Sequence, residues 1–311
     1  MVGFLPPPLA RLATLTLLAR NQEGMPPATS GLTSRSLGTT PADPFAMAGG
    51  PTGYRMTQRA AGKMAPKQEK YKFGVRTAQD ESVPPDQALD RLKEGNKRFV
   101  SGNAEVLKNW DSKKTGALAS YGQNPMAAVL GCADSRAPVE LLFDALPGDV
   151  FVLRNAGNTL SNAEGSMVGS LEFCVNALGA KLVVVLGHTS CGAIKGATGT
   201  LLESQKNGKK VAESSLDRLL IGLSPIVEQA QLDLGGTDSA DDIANLAVEV
   251  NVFAGIQKLL LYSESIREKV KSAEVEVHGA IYDIASGEVK FLGQHPRLPL
   301  ILGMQAAYKA K

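Results

Sequence analysis

The chain has 311 residues, 43% of them hydrophobic and 21% charged, which is material for one or two domains with an apolar core. A formal net charge of only +2 gives no whole-chain case for a nucleic-acid partner. The three cysteines, Cys132, Cys174 and Cys191, are too few for a disulfide scaffold, and no uninterrupted apolar run reaches the ~18 residues of a transmembrane helix.

Residues 1–66 differ from the rest. They hold six basic residues (Arg11, Arg20, Arg35, Arg55, Arg59 and Lys63) against two acids (Glu23 and Asp43), and are rich in Pro, Gly, Ala, Ser and Thr. Stretches such as PPATSGLTSRSLGTTPADP have no helical or strand period and cannot bury a face. A basic, hydroxyl-rich, acid-poor segment reads as an organelle address, plastid in the first place and mitochondrial in the second; the plain alternative is a disordered tail. Residues 67–83 read as a linker, and 84–311 as the catalytic domain.

From Val83 the pattern becomes regular. VPPDQALDRLKEGNKRFVSGN opens with Pro at a helix entry, spaces Ala88, Leu89, Leu92 and Phe99 helically, and stops at Gly102. LASYGQNP reads as a short helix ended by Pro125. Then strands and helices alternate: MAAVLG (126–131) before helical APVELLFDAL, DVFVLRN (149–155) before helical EGSMVGSLEFCVNALG (164–179), and KLVVVLG (181–187) before helical CGAIKGATG. Apolar strands alternating with helices predict an α/β fold with a central parallel sheet flanked by helices. Residues 215–230 form a further helix, and another runs from Asp241 and Asp242 through SESIREKV. EVEVHGAIYDIASGEVKFL reads as two strands around the turn ASGE, an antiparallel C-terminal hairpin at the sheet edge.

Cys132 follows the first core strand, His188 follows the third, and Cys191 comes three residues later. Functional loops of open parallel sheets gather at the carboxyl ends of the strands, so these three side chains can meet at one rim. Two thiolates and an imidazole suit Zn2+, and three protein ligands leave the fourth tetrahedral position for water, the pattern of a catalytic site. Residues 132, 134 and 136 of an extended run point to one side. Asp134 is thereby carried toward whatever Cys132 holds, and Arg136 can restrain it through a two-pronged contact. A restrained carboxylate would orient the metal-bound nucleophile; a free one would become a conditional fourth ligand. Cys174, mid-helix, reads as a small core residue, His278 as structural, and His295 as a surface residue or one near a subunit contact.

CADSR and GHTSCGAIKG, separated by PGDVFVLRNAGN and EGSMVGSLEF, resemble the β-class carbonic anhydrases over residues 84–295. The resemblance implies one zinc per subunit, a homodimer or higher homo-oligomer with pockets near the dimer interface, and reversible hydration of carbon dioxide to bicarbonate and a proton by zinc-bound hydroxide. Gln123, nine residues before Cys132, matches the plant-like, open-site subclass. The bicarbonate-inhibited kind carries Trp three residues before that Cys, where this chain has Val129. By the same matching, Phe151 and Phe173 line the substrate pocket, and the resemblance implies that Gln123 and a backbone N–H near Gly192 hold an oxygen of substrate or product. The plant-like pattern has Tyr where Phe173 stands, and a larger aliphatic where Ala156 stands.

Three other functions compete. The same fold and site can hydrolyse carbon disulfide or carbonyl sulfide through a narrow apolar tunnel, but nothing in the sequence, such as an extra apolar C-terminal arm, demands it. A catalytically silent, zinc-stabilised scaffold would need neither Asp134 nor Arg136. A thiol redox protein is disfavoured because no Cys-x-x-Cys occurs.

Overall fold

The computed structural model describes residues 71–160, 165–208, 211–237 and 239–304. The segment 1–66 read as an address lies outside the described residues. The order is α1 (Pro85–Val100), α2 (Ser112–Tyr121), β1 (Ala127–Cys132), α3 (Val139–Leu142), β2 (Val150–Asn155), α4 (Ser166–Glu172), β3 (Leu182–His188), α5 (Gly192–Asn207), α6 (Ser215–Asp233), α7 (Ala240–Tyr262), α8 (Glu264–Lys271), β4 (Glu276–Tyr282), β5 (Val289–Gly293) and α9 (Leu298–Gly303).

The five strands form one sheet in the order β2-β1-β3-β4-β5. β1 pairs in parallel with β2 and β3, and β3 in parallel with β4, while β5 is antiparallel to β4 at the edge. Every residue of β1 and of β3 is buried, so these strands are apolar on both faces. On one face, Ala128, Leu130, Leu153, Val183, Val185 and Val277 meet Val252, Ile256, Leu259 and Leu260 of α7. On the other, Val129, Leu182, Val184 and Leu186 meet Ala88 and Leu92 of α1 and Val139, Leu142 and Phe143 around α3. Full burial of each Leu or Val contributes about 1.5–3 kcal/mol. α7 is long and apolar enough to cross a membrane, but among the described residues it is a core helix, with Ile243, Ala247, Val252, Ile256 and Leu259 fully buried.

α1 comes so close to α3 that a Cβ at Gly95 would stand 1.8 Å from the Phe143 carbonyl oxygen, so only glycine fits there. Asn96 beside it donates to the carbonyls of Leu142 (3.2 Å) and Gly287 (3.0 Å) and accepts from the Val289 N–H (2.8 Å), tying α1 to the hairpin.

The structure departs from the sequence reading in several places. The described part of the expected linker is packed: Val75, Arg76 and Thr77 are buried, and Arg76 Nε donates to the Asn124 carbonyl at 2.8 Å. The helix expected over APVELLFDAL shrinks to four residues, because Asp144 turns left-handed (φ +46°) to accept the Glu105 and Val106 N–H groups and pair with Arg98. The helix after β2 widens to a π turn over Phe173–Ala177. The long helix ends at Tyr262 because Ser263 caps α8, its side chain accepting from the Ile266 N–H and donating to Glu172 at 2.5 Å. The short helix α9 was not anticipated.

His295, read as exposed or near a subunit contact, stands edge-on to Phe253 of α7 and accepts from the Arg297 N–H through Nδ1. Burial, helped by the Arg297 charge, pushes it down to about 4. The folded imidazole is neutral, whereas the unfolded chain takes up a proton near 6.5. Its contribution to stability is therefore full above about pH 6.5 and is lost as pH falls toward about 4. His295→Phe is expected to flatten the acid-side fall of the thermal midpoint across that window. An unchanged slope would contradict this.

Candidate metal centre

The strand order reverses between β1 and β3: β2 lies on one side of β1, and β3 and the remaining strands on the other. Crevices open at such a switch point, beyond the carboxyl ends of the strands. Cys132 is the last residue of β1, His188 the last of β3, and Cys191 the N-cap of α5. Their ligand atoms all lie within 4.8 Å of one another, and all three residues are buried.

His188 Nδ1 sits 2.9 Å from the Thr189 carbonyl, which leaves Nε2 for the cluster. That Nε2 is buried without a hydrogen-bond partner, which is the state of a ligand nitrogen awaiting its metal. A hydrogen bond from Cys191 draws the Cys132 thiol well below the ordinary range, against the cost of burial. The same contact, together with burial, pushes Cys191 up, and a bound divalent cation would require both sulfurs deprotonated. A soft S,N,S set with an orphaned imidazole nitrogen fits zinc.

Asp134 stands beside the cluster, its Oδ2 3.9 Å from His188 Nε2. Arg136 grips it: Nε donates to Oδ1 at 2.9 Å, Nη2 to Oδ2 at 2.7 Å, and the Arg136 N–H to Oδ1 at 2.9 Å. These contacts hold the Asp134 carboxyl far below the usual carboxylate range. Two residues not anticipated as site residues complete the frame. Arg154 donates to the carbonyls of Cys132 (2.8 Å) and Asp134 (2.5 Å), which fixes the extended run between them. The Gly157 N–H donates to Cys132 Sγ at 3.3 Å. The signal for both was the polar run RNAGN at the end of an apolar strand.

Gly192 opens α5 next to Cys191, with open space where a side chain would stand. The expected pocket residues are elsewhere in the chain. Gln123 is exposed in the loop before β1, whereas Cys132 is at the opposite end of that strand, whose own length is about 16 Å at ~3.3 Å per residue. Phe151 pairs in register with Ala128, four residues before the level of Cys132, and meets Phe173 at 6.3 Å between ring centroids. Phe173 is 52% exposed. One chain thus brings Phe151 and Phe173 together, but joins none of these three to its own Cys132. Cys174 is fully buried, and burial alone pushes its thiol up to about 12, as suits a core residue.

A family model described as carbonic anhydrase matches residues 127–289. Carbonic anhydrase 2 of Mycobacterium tuberculosis is 32% identical over 203 residues, 65% of this chain and 90% of that one. Among solved structures, a β-carbonic anhydrase of Aspergillus fumigatus aligns over 70% of this chain and 96% of its own, with 31% identity and a TM-score of 0.51. A Coccomyxa β-carbonic anhydrase, solved with acetazolamide, aligns over 66% and 86%, with 30% identity and a TM-score of 0.50. On its sequence, its sheet and the cluster at its switch point, the chain belongs to the β-class carbonic anhydrase family.

Proposed function

We propose that this protein catalyses the reversible hydration of carbon dioxide to bicarbonate at a zinc ion held by Cys132, His188 and Cys191. The observation that carries the reading is the Asp134–Arg136 clamp beside a buried S,N,S cluster, which a purely structural metal would not need. Zinc bound by three protein ligands lowers the pKa of a water in its open position to about 7.

The chain's own residues direct that chemistry. An ionised carboxylate has about four acceptor sites, two on each oxygen. Arg136 fills two on Oδ1 and one on Oδ2. The remaining site is on Oδ2, the oxygen nearer the cluster, and there Asp134 accepts a hydrogen bond from the attacking group and aims its lone pair. The same grip keeps Asp134 from swinging onto the metal, and with Val129 in place of Trp it supports the open, plant-like subclass. The start of α5, at Gly192, favours the negative charge that develops on the product oxygen.

Gln123, Phe151 and Phe173 serve the site of a second copy. β2 is an edge strand, and Phe173 lies exposed beside it, so a homodimer formed there buries apolar surface that one chain leaves open. The test is stopped-flow turnover of carbon dioxide by zinc-replete full-length protein, with carbonyl sulfide and carbon disulfide compared and sedimentation run on the same sample. Carbon dioxide turned over fastest, by a dimer or larger species, is expected. Faster turnover of either sulfur substrate, or a monomer of full activity, would contradict the reading.

A further inference from the structure

The turn that faces Cys132 is itself held from the far side of the core. Gly157 (φ +75°) and Asn158 (φ +43°) are consecutive left-handed residues, a region that glycine and asparagine enter more readily than other residues. A side chain at Gly157 would be tight as well as strained by the positive φ: a Cβ there would stand 3.2 Å from Ala193 Cβ and 3.4 Å from Leu223 Cδ1. Asn155 closes the turn, accepting from the Thr159 N–H at 2.7 Å and donating to the Thr159 carbonyl at 2.8 Å. The remaining restraint comes from α7, 94 residues along the chain. Asn251 Nδ2 donates to the Gly157 carbonyl at 2.8 Å in a buried hydrogen bond. Asn251 is 5% exposed, on a helix otherwise buried through aliphatic residues.

We infer that Asn251 is a positioning residue for the metal centre: it locks the Gly157 turn so that the Gly157 N–H stays aimed at Cys132 Sγ. It touches neither substrate nor the sulfur and acts through one glycine. An N–H directed at a thiolate withdraws electron density from it and fixes its orientation, and outer partners of this kind are worth about 10–100-fold in metal affinity. The inference rests on the zinc reading above.

The test replaces Asn251 with leucine, of similar size but without a donor, in full-length protein. Asn251→Leu is expected to release zinc to a chelator about 10- to 100-fold faster than wild type. In cobalt-substituted protein it is expected to shift the sulfur-to-metal charge-transfer band to longer wavelength. Ile256→Ala, a core truncation on the same helix, should lower the thermal midpoint but leave band and release rate unchanged. Wild-type release and band in Asn251→Leu, or equal changes in Ile256→Ala, would overturn the inference while leaving the zinc reading intact. Wild-type protein that takes up no zinc would overturn both. Should Asn251→Leu not fold, amide hydrogen exchange in zinc-loaded wild-type protein decides. A protected Gly157 amide supports the inference, and exchange at the rate of an exposed loop overturns it.

Discussion

Asp134→Ala leaves zinc content at the wild-type level and lowers kcat by about 10²- to 10³-fold, the range for losing one preorganised hydrogen-bonding group. Zinc stays because Asp134 is not among the three ligand residues: Cys132, His188 and Cys191 are buried and mutually within reach without it. Turnover falls because the one free acceptor site on Oδ2 is removed and Arg136 loses its partner. The remaining Arg136 hydrogen bond, to the Ser190 carbonyl at 3.3 Å, cannot replace the carboxylate. Zinc analysis and stopped-flow hydration on the same preparation check both halves. Full activity would remove the orienting role, and loss of zinc would place Asp134 among the ligands.

Cys191→Ser has the opposite signature: zinc is lost, and activity goes with it. A serine hydroxyl stays protonated at neutral pH and is a poor ligand for a borderline-soft ion. Because outer-shell partners alone are worth about 10–100-fold in affinity, loss of a ligand sulfur should weaken zinc binding by more than about 100-fold. The fold itself should tolerate the change. Cys191 is the N-cap of α5, and serine is among the preferred N-cap residues. Chelator competition with a circular dichroism control separates these outcomes. Unchanged zinc affinity would mean that the ligand set is wrong.

What the sequence made legible follows from locality. β1 and β3 are buried on both faces, so each reads as an unbroken apolar run, and the residue that ends each run falls at the sheet rim. That was enough to bring Cys132, His188 and Cys191 together across 59 positions, and the two-residue step from Asp134 to Arg136 was enough to foresee their pairing. What escaped depends on distant partners. The helix after Cys132 stops at four residues because Asp144 is claimed by Arg98 and by the N–H groups of Glu105 and Val106. The long helix breaks where Ser263 meets Glu172, 91 residues away. Arg154 and Gly157 act through a strand-end carbonyl and a backbone N–H, so the polar run RNAGN marks their place but not their partners. Gln123, Phe151 and Phe173 illustrate a further limit: matching to a family pattern proposes pocket positions without saying which copy's pocket they would line.

The central claim is that this cluster, loaded with zinc, hydrates carbon dioxide with Asp134 held off the metal. Stopped-flow hydration by full-length protein carrying one zinc per chain, followed from mildly acidic to alkaline pH, tests it most directly. The predicted result is a rate that rises smoothly through a single ionisation near pH 7, as expected for zinc-bound water. A sharp collapse on the acid side would contradict the clamped carboxylate, and no hydration at any pH by zinc-loaded protein would contradict the function itself.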